Sequence, residues 1–166
     1  KGDIYIAINR CIDILESDSV SDSEKSFYLK LLVHFVGDLH QPLHIGRYED
    51  GGANKVYVKW FGRNSNLHRV WDSEMINGHN MSYSELALNL PNPELLVFTK
   101  EAKDFERSDI LDWVNELHTY TNQIYAGVSV DDKLGYEYQY KNFGTVKELL
   151  LIGGIRLAKI LNYLFD

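Results

Sequence analysis

Five residues able to bind a metal repeat one spacing. His34 and Asp38 stand four apart in "LLVHFVGDLHQPLH", His68 and Asp72 stand four apart in "NLHRVWDSEMI", and His44 lies between the pairs. On a helix, residues four apart share a face, so each pair can present an imidazole nitrogen beside a carboxylate oxygen. That ligand set suits catalytic zinc, whereas many structural zinc sites are rich in sulfur. One His–Asp pair is usually a surface hydrogen bond. Two pairs with a fifth donor between them read as a metal cluster. His34 sits in the apolar run "LLVHFVGD" and is expected to be buried, where the charge of Asp38 needs a strong partner. Gly37, beside Asp38, would let another group approach closely.

The elements that must carry these residues are mainly helical. "DIYIAINRCIDILE" (3–16) spaces its apolar residues as one helical stripe, with Cys11 as a small core residue. A second helix is expected over about 22–39, capped by Ser21 or Ser23, broadly apolar and central, and ended by Pro42. Gly46, Gly51 and Gly52 mark a loop or hairpin, and "KVYVKW" alternates as a short strand with Val56, Val58 and Trp60 on one face. Asn66 is the expected cap of a third helix, and Ser82 with Glu85 has capping-box spacing. "PNPELL" reads as a break, and a long helix follows from Ser108 to Gly127. "DDKLGYEYQYKN" reads as a tyrosine-rich connection to a last helix over about 143–165, with the tyrosines at 136–140 packing. The expected fold is mostly α with a small β ribbon, as one domain over 1–166.

The 166 residues carry a formal charge of −7, with 45% apolar and 25% charged residues. A protein that grips nucleic acid by neutralising many phosphates is usually basic, so phosphate handling here requires a focused cation. A bound dication supplies one. No apolar run is long enough for a membrane span, no signal peptide is visible, and the single cysteine excludes an internal disulfide.

"VHFVGDLHQPLH", "GGANKVYV", "NLHRVWDSEMI" and the closing "GGIRLAKILN" together resemble the single-strand-specific zinc nucleases, the nuclease S-one/P-one family, which is related in fold to zinc-dependent phospholipase C. The resemblance runs along the whole chain and implies a multi-helix phospholipase C/nuclease-type fold holding three zinc ions. It implies that His34 and Asp38 bind the most buried ion and that Asp38 bridges to a neighbour. It makes His44, His68 and Asp72 the protein ligands of the remaining ion. Asn54 resembles the family asparagine near the bound phosphate, although this chain has Gly51-Gly52-Ala53-Asn54 where the family has Gly-Gly-Asn. Lys55 is a candidate phosphate contact. His40 is expected to support the ligands from behind or to face solvent. His79 and His118 are expected on the surface, and Trp60, Trp71 and Trp113 in the core.

The resemblance also places other ligands, and an aspartate that orients water, upstream of anything in this chain. The chain thus resembles the C-terminal three-fifths of a family member, and no catalytic residue is assigned within it. The expected partners are single-stranded nucleic acid or nucleotides, and the upstream segment in the same or a second chain. The implied activity is zinc-dependent hydrolysis of phosphodiester bonds in single-stranded DNA and RNA to 5′-phosphates, with 3′-nucleotidase activity, outside the cell or in the periplasm. The alternatives are a phospholipase C and a non-catalytic zinc-stabilised binding domain.

Overall fold

A computed structural model describes residues 3–91 and 104–166. Most of the "PNPELL" break therefore lies outside the described residues. Helix α1 (Ile4–Glu16) starts where the Asp3 carboxylate accepts from the Ile6 amide, and it buries Ile8, Cys11, Ile12 and Leu15. Helix α2 (Asp22–Leu39) is capped by Ser21 and buries the stripe Leu32, Val36 and Leu39. It is not the buried central helix expected: Phe27 is 57% and Val33 44% exposed. Its second apolar side faces outward. A 3-10 turn (Pro42–Ile45) then reverses the chain under Gln41, whose side-chain oxygen accepts from the Leu43 amide.

The β ribbon is larger than expected. Strand β1 (Tyr57–Trp60) buries Val58 and Trp60 and pairs antiparallel with β2 (Arg63–Asn66), Tyr57 opposite Asn66 and Trp60 opposite Arg63. The hairpin turn falls at Phe61 and Gly62, both at positive φ, rather than at the glycines before the strand. Strand β3 (Lys133–Leu134) adds parallel to the other edge of β1, giving the order β2-β1-β3. Asn66 caps α3 (Leu67–Arg69), which runs through a π-helical turn (Val70–Glu74) into α4 (Met75–Gly78). The capping box of α5 (Tyr83–Leu88) is complete.

Helix α6 (Asp109–Ala126) ends at Gly127, but the Ser108 hydroxyl makes no capping bond; instead the Asp109 carboxylate folds back to accept from the Glu106 amide. Helix α7 spans Tyr136–Phe165, so the expected tyrosine-rich connection is already helix from Tyr136. The alternation of "YEYQY" imitates a strand, while Glu137 and Lys141 form an i,i+4 ion pair that suits a helix. Tyr138 packs against the second core cluster as expected, Tyr136 is largely exposed yet sets its ring edge-to-face on Phe61 at 4.7 Å, and Tyr140 points into solvent rather than packing.

Two apolar clusters result. One joins α1, α2, α6 and the C-terminal half of α7 around Ile12, Leu32, Leu117 and Ile160; the other joins the sheet, α3 to α4 and the first half of α7 around Val58, Leu67, Trp71 and Phe143. Cys11, Trp60, Trp71 and Trp113 are core residues as expected. The candidate site lies along the line where the end of α2 meets the second cluster.

Candidate metal centre

Each of the five predicted donors enters from a defined element. His34 and Asp38 come from the last turns of α2, His44 from the 3-10 turn, His68 from α3 and Asp72 from the π-helical turn. The structure brings all five into one chain of contacts. Asp38 Oδ2 lies 3.2 Å from His34 Nε2 and 3.5 Å from His44 Nδ1, and His44 Nε2 lies 3.1 Å from Asp72 Oδ1. The His44 and His68 rings stack at 5.0 Å, 8° from parallel. Among the described residues, His44, His68 and Asp72 form a group whose ligand atoms all lie within 4.8 Å of one another.

Burial corrects one expectation. The His34 side chain is 63% exposed, against 30% for Asp38 and 22% for His44. His34 sits on the outward side of α2, away from the stripe formed by Leu32, Val36 and Leu39. Gly37 is equally open: a Cβ there would meet nothing within 4 Å, so no close approach uses it among the described residues.

His68 is held differently. Its Nδ1 lies 2.8 Å from the Gly52 carbonyl, which can only accept, so Nδ1 carries the proton and donates. In the neutral ring this leaves the Nε2 lone pair for a ligand. The donor set therefore fits a metal: two imidazoles and a carboxylate converge, and one imidazole is tied at its rear nitrogen. Ligand atoms about 2.1 Å from a shared ion stand about 3.4 Å apart, so a small contraction closes the set. A cleft of about 1200 Å³ opens on Asp38, His44 and His68, with Tyr28, Phe35 and Tyr48 on its walls. A smaller hollow of about 440 Å³, walled by aliphatic residues of α2 and α7, reaches Asp38, His44 and Asp72 from the other side.

The remaining predicted residues fall in different places. Asn54 and Lys55 are exposed on the glycine loop and bond back to it: Asn54 Nδ2 donates to the Gly51 carbonyl and Lys55 Nζ to the Glu49 carbonyl, both at 2.9 Å. His79 is exposed and stacks on Phe143, and His118 is exposed at the rim of the larger cleft. His40 does not face solvent. It is 6% exposed, donates from Nδ1 to the Val36 carbonyl at 2.8 Å, and accepts from Arg156 Nη1 at 3.3 Å. Arg156, 1% exposed, donates its other amino group to Glu116 Oε2 at 2.8 Å and lies over Trp113.

Sequence reasoning missed Asp50 and Tyr125. Asp50 Oδ1 accepts from the Ala53 amide at 2.7 Å and from the Tyr125 hydroxyl at 2.8 Å. Burial, followed by the hydrogen bond to Asp50, pushes the Tyr125 phenol up to about 12, which keeps it protonated and donating at neutral pH. Burial likewise pushes the Tyr138 phenol up to about 12; its oxygen accepts from the Trp71 indole at 2.9 Å. Asp50 stands before two glycines, an ordinary turn signal, and nothing in the sequence tied it to a tyrosine 75 positions on.

The chain is mostly helical with a small sheet, and it brings His44, His68 and Asp72 together in an arrangement that could hold a metal ion. The S1/P1 Nuclease family model matches residues 1–166, and the chain belongs to that family. It is similar to Endonuclease 3 of Arabidopsis thaliana, at 33% identity over 99% of this chain and 60% of that protein. It is 30% identical to Nuclease S1 of Aspergillus oryzae over 85% of this chain and 55% of that protein. Nuclease P1 of Penicillium citrinum matches at 41% over 43% of this chain and 27% of that protein. The chain thus spans between about half and three-fifths of the length of the first two.

Proposed function

We propose that this chain forms much of the metal centre of a zinc-dependent nuclease that hydrolyses phosphodiester bonds of single-stranded DNA and RNA to 5′-phosphates, with 3′-nucleotidase activity. The observation that carries the reading is the convergence of His44, His68 and Asp72, with His68 Nδ1 occupied by a carbonyl. Family membership supports it.

His44, His68 and Asp72 would hold one zinc ion. His34 and Asp38 would contribute to two others, with Asp38 shared between them, and the remaining donors would come from residues outside this sequence, in the same or a second chain. Bound zinc polarises a phosphoryl oxygen and makes water a better nucleophile near neutral pH. The chain's own residues do the rest. The loop under His68 fixes its ring, Asp38 and Asp72 flank His44 on its two nitrogens, and the walls of the larger cleft limit what reaches these donors. With a chain charge of −7, attraction for phosphate is confined to the metal-bearing point. Asn54 and Lys55 are proposed as phosphate contacts once freed from their loop partners. A secreted or periplasmic setting is part of this proposal, and family membership supports it; no helix among the described residues is long and apolar enough to cross a membrane.

The test is zinc per chain and hydrolysis of single-stranded DNA, RNA and a phospholipid ester, for this chain alone and with the upstream segment of a relative supplied. The expected result is one firmly held zinc for the chain alone, with the further zinc and nuclease turnover appearing together on supply of that segment. Phospholipid turnover without nucleic-acid turnover, or zinc binding with no hydrolysis under either condition, would overturn the reading.

A further inference from the structure

Gly51, Gly52 and Ala53 lie consecutively at positive φ: 66°, 65° and 66°. Two glycines adopt this readily, but a side chain with a Cβ does so at a cost, and Ala53 is fully buried in the second core cluster. Strain of this kind persists where the surroundings impose it. Here the surroundings are specific. The Gly52 amide donates to the Arg47 carbonyl at 2.8 Å, and a Cβ at Gly52 would stand 2.2 Å from the Leu43 carbonyl oxygen. Asp50 Oδ1 takes the Ala53 amide and the Tyr125 hydroxyl together.

The turn spends two successive carbonyls on one residue. Gly52 O accepts from His68 Nδ1 at 2.8 Å, and Ala53 O accepts from the His68 backbone amide at 3.4 Å. The Ala53 carbonyl also accepts from Val56 at 3.2 Å, which links the turn to the start of β1. His68 is thereby gripped at its ring and at its backbone by adjacent peptide units.

We infer that the left-handed turn Gly51–Ala53, anchored by Asp50 and Tyr125, is a clamp that sets the tautomer and ring orientation of His68, and that Asp50 and Tyr125 are positioning residues of the metal centre. The inference deepens the reading of His68 as a ligand and rests on it for its functional meaning. Asp50 touches no donor of the cluster; it acts through the turn. Tyr125 does the same from α6, its ring also covered by the Arg47 guanidinium at 4.2 Å. The residue that makes this chain's loop Gly-Gly-Ala-Asn is the one whose carbonyl holds the His68 backbone.

Two readouts test the clamp. Long-range 1H–15N spectra of the metal-free chain, taken at about pH 8.5 where an ordinary histidine is neutral, should show His68 protonated at Nδ1. Asp50→Ala should give a mixture of tautomers, and Asp50→Asn, which keeps a carbonyl oxygen at Oδ1, should restore the single one. Cobalt titration followed by its visible absorption should weaken by about tenfold or more in Asp50→Ala and Tyr125→Phe, with recovery in Asp50→Asn. Ile12→Val, a mild change in the other core cluster, serves as the control that lowers stability without touching the turn. Protonation at Nε2 in the unaltered chain would overturn the inference. So would Tyr125→Phe that lowers the melting temperature while leaving tautomer and cobalt affinity as they were. Absence of nuclease activity would bear on the proposed function only, because both readouts are independent of turnover.

Discussion

The chain contains one spacing twice, and the structure treats the two copies differently. His34 and Asp38 sit on a regular stretch of α2 and pair with each other at 3.2 Å, with the histidine 63% exposed. His68 and Asp72 straddle the start of a π-helical turn, and Asp72 pairs with His44 instead. Turns of this type recur at functional sites because they rotate a side chain out of the ordinary helical register. Behind His68 lie a carbonyl and a strained turn anchored by half-buried Tyr125, and half-buried Tyr138 holds the neighbouring Trp71; the described residues give His34 no comparable support. Equal spacing in sequence therefore carries unequal preorganisation, and the difference lies in what packs behind each histidine.

The sharpest way to break this contrast is through the glycine next to each pair. Gly52→Ala should cost about 3 kcal/mol in urea unfolding, because it adds a left-handed penalty to an overlap with the Leu43 carbonyl that rigid backbone cannot relieve. A cost below about 1 kcal/mol would show that the turn yields, contrary to its role as a fixed support. Next in size are the histidines themselves. His68→Ala should weaken zinc binding at the proposed site of His44, His68 and Asp72 by more than about a hundredfold, beyond the usual effect of removing a supporting group. His34→Ala should leave affinity at that site unchanged, and calorimetric zinc titration of the two variants checks both.

A smaller and directional effect is expected at high pH. Tyr125 and Tyr138 have folded-state pKa values raised to about 12 from an ordinary value of 10. Raised values mean that their contribution to stability is complete below pH 10 and is lost as pH climbs towards 12. Both tyrosines support the His68–Asp72 segment, so its NMR signals should shift before those of His34 across that interval. Simultaneous change at both histidines would remove the distinction. Smallest of all, Gly37→Ala should stabilise the chain by about 0.7 kcal/mol, since the position is mid-helix with open space for a methyl group. A loss of stability there would mean that the α2 pair does rely on close packing.

That His34, Asp38, His44, His68 and Asp72 come together was legible because residue types and short spacings mark such a group, and Asn66 and Ser82 were legible because capping is local. The exposure of His34 was not. An apolar run such as "LLVHFVGD" has the same composition whether one side of its helix is covered or two. The start of α7 was read as a connection because "DDKLGYEYQYKN" opens on turn residues and lacks an aliphatic helical stripe, while the bond from Trp71 to Tyr138, which ties this turn of helix to the core, joins residues 67 apart. The same holds for Asp50 and Tyr125, and for His40, whose burial depends on Arg156 from the far end of the chain. Local chemistry could be read from the sequence, whereas support from distant parts of the chain could not.

The parallel pairing of β3 with β1 has a consequence for biogenesis. During synthesis the hairpin of β1 and β2 can form early, but the other edge of β1 waits for Asp131, Asp132 and Leu134, whose backbones bond to Tyr57, Lys59 and Phe61. Until that late segment leaves the ribosome, the nascent chain displays an unpaired strand edge next to exposed Phe61. Slow translation between these segments would lengthen that interval, so this stretch of the message is where pausing would favour capture by chaperones or edge-to-edge association.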